Sequence, residues 1–451
     1  MINAIGAPRR WILLAAILAI LEIVGAGSGP ARAQIEIDIM RGSVEPMPVA
    51  VTDLYGERPE AAWLGAEIGR VIAADLERSG LFKPIDPRAF IQSAAEVQTG
   101  LRFADWRVLN AQGLVTGKVE FGNDGRLEVE FSLWDVFAGE RLIGWGLRTP
   151  PEFWRRIAHK IADMIYERLT GETGYFDTRI IYIAETGAIT EPIKRLAIMD
   201  QDGANLRYLT NGDNLVLTPR FSPDPDEQEI TYLLYLHGKP RVYLYNVDTG
   251  QQEVLERNFP GMTFAPRFSP DGSKVVMTYA QDGNSEIYEM DLQTREIERL
   301  TNNPAIDTAP TYSPDGEYVT FESDRGGTQQ IYVMRSDGRD VRRISFGNGR
   351  YGTPVWSPRG DLIAFTKSRK GTFYIGVMHP DGSGERLLAE GFLVEGPSWA
   401  PNGRVLIFTR QQVVGDGHRN ELVSIDLTGY NRRVIVTPTG ASDPAWSPLL
   451  P

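Results

Sequence analysis

The strongest constraint on this chain is a short frame, Pro-x-aromatic-Ser/Ala-Pro, that recurs six times from residue 219 onward. It reads Pro219-Arg220-Phe221-Ser222-Pro223, Pro266-Arg267-Phe268-Ser269-Pro270 and Pro310-Thr311-Tyr312-Ser313-Pro314. It returns as Pro354-Val355-Trp356-Ser357-Pro358, Pro397-Ser398-Trp399-Ala400-Pro401 and Pro444-Ala445-Trp446-Ser447-Pro448. Successive copies start 47, 44, 44, 43 and 47 residues apart, and a fixed period in the forties marks a repeat architecture. Within one period an alternating run such as Tyr318-Val319-Thr320-Phe321 precedes Gln330-Ile331-Tyr332-Val333-Met334, a turn at Ser336-Asp337-Gly338 and a last run, Val341 to Ile344. Short β-rich runs punctuated by Gly, Pro, Asp and Ser read as antiparallel strands joined by hairpins. Ser-Pro-Asp-Gly suits a tight turn, because proline pre-sets φ and glycine accepts a conformation closed to other residues. Four strands per period make one β-propeller blade.

The spacing also counts the blades. The sixth frame meets the chain end at Pro451, with no room for three further strands. Runs matching those strands lie upstream, at Arg179 to Ile183, Lys194 to Met199 and Leu206 to Thr210. A C-terminal strand joining three N-terminal ones closes a six-bladed ring and removes the open edges of a sheet. An open solenoid leaves this division of strands unexplained.

Residues 1–33 carry Arg9-Arg10, an apolar run from Trp11 to Val24 and then Ala31-Arg32-Ala33 before Gln34, the pattern of a secretory signal peptide cleaved between Ala33 and Gln34. A membrane anchor is the competing reading, but the run is short for a span and holds Glu22. The chain has no cysteine, so disulfides and thiolate metal sites are excluded. Its net charge is −12; removal of residues 1–33 takes away three Arg and one Glu, leaving −14, a poor balance for a nucleic-acid binder.

Gln34-Ile35-Glu36-Ile37-Asp38-Ile39 alternates with period two, within a segment delimited as 34–44. Two readings stand: a first strand of the following domain, which the residues alone favour, or an arm that adds to a partner's sheet edge. Residues 45–172 lack the repeat and read as one compact α/β domain, with the propeller at 175–451. In that domain Val49-Ala50-Val51 reads as a strand. A helix is expected over 61–79, with Leu64, Ile68, Ile72 and Leu76 on one face and Gly80 as its stop. Strands are expected at 81–86, 113–121, 127–136 and 140–148, and a closing helix from Pro151 to Leu169 with Trp154, Ile157, Ile161, Ile165 and Leu169 as its core stripe.

No catalytic motif is present: neither a Gly-x-Ser-x-Gly elbow, nor a phosphate loop, nor a His-Glu-x-x-His pair. His159, His237, His379 and His418 are not spaced as metal pairs and read as solvated or packing residues. Asp200-Gln201-Asp202-Gly203 is better explained by hairpin chemistry than as a calcium loop. No cofactor and no metal is expected. A periplasmic hydrolase or lyase working in the propeller funnel is the alternative. Against it, the first-strand residues Arg220, Arg267, Thr311, Val355, Ser398 and Ala445 include no acid or histidine. A small-molecule or metal-binding propeller with ligands on loops is a third class.

The order of leader, small α/β domain and six blades resembles the TolB family of the Tol-Pal system. So do the closing Asp443-Pro444-Ala445-Trp446-Ser447-Pro448 and the helix end Ala73-Ala74-Asp75-Leu76-Glu77-Arg78-Ser79-Gly80-Leu81-Phe82. The resemblance implies a non-enzymatic, monomeric periplasmic scaffold, not itself membrane-spanning, that serves outer-membrane integrity and invagination at division. It implies binding of the peptidoglycan-associated lipoprotein Pal on the propeller face, and of TolA, the partner of TolQ and TolR, through the N-terminal arm, which turns the reading of residues 34–39 toward the arm. For Pal it points to the residues just before the frames: Met262, Thr263, Phe264 and Ala265; Asp307, Thr308 and Ala309; Arg350, Tyr351 and Thr353; Val394 and Glu395. Of these, Met262, Ala265, Thr308 and Ala309 match the family's contacts most directly. The competing reading is that they fill space under a neighbouring loop.

Overall fold

The computed structural model describes residues 45–188, 191–236, 238–256, 259–415 and 417–451. The leader with its cleavage point, the arm at 34–44 and His237 lie outside the described residues. The N-terminal domain starts with strand β1 (Met47–Val51), helix α1 (Pro59–Arg78) and β2 (Phe82–Pro84). α1 begins with proline in its first turn, where the missing N–H costs nothing, and buries Leu64, Ile68, Ile72 and Leu76 along one face. Gly80, at φ +75°, turns the chain out of the helix.

Two short helices follow, α2 (Ala94–Thr99) and α3 (Phe103–Val108), before β3 (Gly113–Phe121), β4 (Leu127–Asp135), β5 (Glu140–Thr149) and helix α4 (Trp154–Thr170). The sheet order is β2-β1-β3-β4-β5, parallel around β1 and antiparallel from β3 to β5. α1 and α4 cover one face through a shared apolar core, while Val97 of α2 and Trp106 of α3 pack against Ala50 and Leu114 on the other. Trp154 differs from the expected stripe. It is half-buried and meets Trp63 edge-on at 6.4 Å, so the buried stripe of α4 starts at Ile157.

Among the described residues the propeller consists of six four-stranded antiparallel sheets. The first blade pairs Arg179–Ala188, Glu191–Asp200 and Arg207–Tyr208 with the C-terminal strand Gly440–Trp446, which closes the ring. The innermost strands of blades two to six are Val216–Phe221, Met262–Phe268, Asp307–Tyr312, Arg350–Trp356 and Leu393–Trp399, so every frame lies on an innermost strand. The frame's serine has a structural task. In the fourth blade Ser313 Oγ donates to Asp315 and accepts from Tyr318 N at 2.9 Å, and Gly316, at φ +73°, completes the turn into the second strand.

The α/β domain seats on the Ser-Pro ends of the fifth, sixth and first blades. Arg359 pairs with Glu172 at 2.9 Å, Asn402 donates to the Thr173 carbonyl, and Tyr175 meets Trp446 edge-on at 5.8 Å. One apolar cluster runs across the seam, from Leu76 and Ile161 to Val405, Ile407 and Trp446.

Candidate partner-binding face

The mouth of the propeller, opposite the Ser-Pro turns, is shaped by a backbone device repeated in every blade. The residue just before the frame's first proline is left-handed: Thr218 (φ +47°), Ala265 (+52°), Ala309 (+52°), Thr353 (+46°), Gly396 (+65°) and Asp443 (+51°). At the same point the ladder to the second strand breaks register, a β-bulge that bends the innermost strand. Non-glycine residues avoid this conformation unless something holds them there.

In four blades the holder is visible. The left-handed residue donates its N–H to a side chain on the second strand of the preceding blade. Ala309 donates to Thr278 Oγ1 (3.2 Å), Thr353 to Glu322 Oε2 (3.0 Å), Gly396 to Thr366 Oγ1 (3.3 Å) and Asp443 to Thr409 Oγ1 (3.0 Å). The ladder partners at this register in the first two blades are Ile183 and Leu233, which cannot accept. There Thr218 N turns instead to Asp443 Oδ2 at 3.4 Å. The cross-blade ring is therefore polar through blades three to six and apolar through one and two. Burial raises the pKa of Glu322 against the opposing hydrogen bonds from Thr353 N and Gln329.

The structure sorts the twelve mouth residues that the sequence singles out. Met262, at 45% exposure, stands at the rim with Arg350 and Glu395. Phe264, Ala265, Thr308, Ala309 and Thr353 are half-buried around the opening. Thr263, Asp307, Tyr351 and Val394 point into the wall and are buried, because side chains alternate along the strand. Thr263 Oγ1 accepts Val242 N, Asp307 pairs with Arg325 at 2.6 Å, Tyr351 donates to Glu385 at 2.8 Å, and Val394 joins the core between the fifth and sixth blades. These four brace the rim. The eight others are the ones a partner can meet.

Part of the rim was missed from the sequence. The sixth blade's second and third strands, Val405–Val414 and Gly417–Asp426, and the first blade's pair, Arg179–Ala188 and Glu191–Asp200, are ten residues each, against six to eight in the other blades. Val413 (69% exposed) and Phe392 (64% exposed, stacked on His418 at 5.7 Å) decorate this taller side. Glu185 braces it, accepting from Asn420 and Ser442 and pairing with Lys194 at 3.0 Å. The available signal was the last frame interval of 47 residues, whose excess is spent near Gln411 to Val414.

Among the described residues, the domain seam brings several titratable side chains together. His159 Nδ1 and Asp75 Oδ2 lie 2.5 Å apart, Gln201 donates to Asp75 Oδ1 at 2.8 Å, and Asp202 lies 3.9 Å from His159 Nε2 and is paired with Arg155. Sequence spacing gave no hint of this group, since His159 is 84 residues from Asp75. His159, Asp75 and Asp202 are close enough to share a metal ion. Burial works against the imidazolium, but Asp75, then Asp202 and Asp200, outweigh it and push the pKa of His159 up to about 9. With His159 on Asp75, Gln201 on Asp75 and Arg155 on Asp202, the group is an internal polar and ion-pair network that fastens the two domains.

Inside the channel, a cavity of about 430 Å³ opens toward the Ser-Pro end. Its lining holds Arg220, Arg267, Thr311, Val355, Ser398 and Ala445, together with the frame aromatics, serines and prolines, and no acid or histidine. Without such a group there is nothing in this wall to exchange a proton near neutral pH.

Fold and rim together define a class: an α/β domain fused to a six-bladed β-propeller whose mouth carries the exposed Met262, Arg350 and Glu395 while its other end carries the domain seam. Residues 166–450 match the family model described as the TolB beta propeller domain, and residues 35–142 match that of the TolB amino-terminal domain. The Tol-Pal system protein TolB of Paramagnetospirillum magneticum is 62% identical over 440 residues, 97% of this chain and 98% of that protein. The crystal structure of TolB from Acinetobacter baumannii is similar at a TM-score of 0.78 and 29% identity, covering 92% of this chain and 100% of that one. The chain belongs to the TolB family of the Tol-Pal system.

Proposed function

We propose that this chain is a non-catalytic periplasmic hub: its propeller mouth receives Pal, and its N-terminal arm, residues 34–39, adds as a strand to TolA. In this reading residues 1–33 direct export and are removed after Ala33. The hub links Pal to the TolA, TolQ and TolR assembly, maintains the outer membrane and draws it inward at division. The observation that carries the reading is the mouth itself. It is rimmed by Met262, Thr308, Arg350, Thr353 and Glu395, at least partly exposed, and lies opposite the end that the second domain occupies. Methionine and aromatic side chains at a rim supply adaptable apolar contact.

The test is calorimetric titration of residues 34–451 with the periplasmic part of the same organism's Pal. Saturable one-to-one binding is expected, weakened at least about tenfold in Thr308→Arg with the melting temperature kept. Unchanged affinity in that variant removes the mouth assignment. Deletion of residues 34–39 should abolish TolA binding and leave stability nearly unchanged, whereas a large loss of stability would make the segment a structural strand.

A further inference from the structure

The channel cavity presents an unsolved charge problem. Arg220 and Arg267 occupy the same frame position on the adjacent second and third blades and line one cavity. The lining contributes no carboxylate, and among the described residues neither arginine has an ion-pair partner within 4.0 Å. Arg220 Nη1 donates to the Pro219 carbonyl at 2.5 Å and Arg267 Nη1 to the Pro266 carbonyl at 3.4 Å, while Arg220 Nε is buried without an acceptor. Burial pulls the Arg220 pKa down to about 10, with Asp443 opposing from a distance. Both arginines are only partly exposed, and the Arg220 Nε is buried without an acceptor; such a cation is costly without a counter-charge in contact, and a protein of net charge −12 has placed two of them in a lining that holds no acid.

The other wall residues leave room for a ligand and take little part in neutralising the charge. At the equivalent position the remaining blades carry Thr311, Val355, Ser398 and Ala445. Thr311 Oγ1 donates to the Pro354 carbonyl, and the serines of the first, second and third frames are engaged in their own turns. Ser398 Oγ accepts Trp446 N at 3.1 Å, which leaves its own proton to donate. Two guanidinium groups and a hydroxyl lining one space, walled by proline and aromatic rings, match the planar, multidentate recognition of an oxyanion.

We propose that the Ser-Pro end of the channel is a binding site for a small oxyanion, a phosphate or carboxylate group held between Arg220 and Arg267. This site lies at the end opposite the partner-binding mouth and does not depend on the reading of the mouth.

The test is calorimetric and thermal-shift titration of residues 34–451 with inorganic phosphate and, separately, with succinate, at constant chloride. Saturable binding of at least one is expected, with a rise in melting temperature, and a weakening of about tenfold or more in Arg267→Gln and in Arg220→Gln. Stronger binding of phosphate identifies a phosphoryl group as the natural ligand, and stronger binding of succinate a carboxylate. Neither variant removes an ion pair, so both should fold with unchanged or higher melting temperatures in the absence of anion; if Arg220→Gln does not, Arg267→Gln carries the test. No saturable binding of either anion, or binding unchanged in both variants, overturns the proposal.

Discussion

The two ends of the propeller are built on opposite principles. At the seam, charge is buried and answered: Asp75 faces His159, Gln201 and Arg78, Asp202 faces Arg155, Asp177 faces Arg156, and a continuous apolar cluster surrounds them. At the mouth, left-handed turns are held in four blades by single hydrogen bonds, and Met262, Arg350 and Glu395 beside those turns are left to solvent. The first arrangement makes two domains into one body. The second holds the backbone of a surface in shape without filling the space in front of it.

The contrast can be broken first where the ring closes. Removing 440–451 deprives the first blade of its innermost strand and the seam of Trp446. The expected outcome is loss of cooperative folding or aggregation, read by gel filtration and calorimetry. A monomeric truncation with an unchanged melting point would mean that the ring does not hold the molecule together.

Next in size is the seam. His159→Leu leaves Asp75 buried beside a partner that has gone, and a loss of about 3–5 kcal/mol is expected in chemical denaturation. The native pKa of His159 lies above its ordinary 6.5, so its stabilisation is complete below that pH and disappears as pH rises through about 9. The full span corresponds to about 3 kcal/mol. Asp163, which accepts from Phe176 and Asp177 N–H, is pushed up to about 7 by burial, and it too loses native preference as pH rises, between about 4 and 7. Stability of the wild type should therefore fall between pH 7 and 9, and His159→Gln should flatten that fall. A parallel slope in the variant would place the titrating group elsewhere.

Smaller effects sharpen the picture of the mouth. Gly396 is the one glycine among the six left-handed positions, and a Cβ there meets nothing within 4 Å. Gly396→Ala isolates the conformational cost, expected at about 1 kcal/mol of destabilisation, while Ala309→Gly should be neutral or slightly stabilising. Equal costs in both directions would mean that the turns are unstrained. Smallest is the difference between the polar and apolar halves of the ring. Leu233 cannot accept the Ala265 N–H as Thr278 accepts that of Ala309, so the Ala265 amide should exchange with solvent faster. Equal protection would mean that the difference between the polar and apolar halves has no effect on how firmly the turns are held.

Blade number, ring closure and most elements of the α/β domain were legible because each depends on local pattern. The helices at Ala94–Thr99 and Phe103–Val108 were not expected, although Ser93 and Glu96 form a capping box that the sequence displays. Four of the twelve mouth candidates are buried, since the bulge before each frame decides which side of the alternation faces inward, and a bulge cannot be counted from one strand alone. The left-handed position carries Thr, Ala, Ala, Thr, Gly and Asp, with no common residue to mark it.

By itself, then, the sequence determined what repetition and short-range chemistry can encode: the six frames, the Ser-Pro-Asp-Gly turns, the strand left over at the C-terminus and the helical stripes. Only the tertiary structure decided which groups meet across large separations: His159 with Asp75 and Asp202, Thr278 with Ala309, and Tyr175 with Trp446 across the seam. The physical reason is that backbone periodicity is a property of neighbours in the chain. A buried charge pair or a shared channel wall is a property of neighbours in space, and ring closure creates those neighbours.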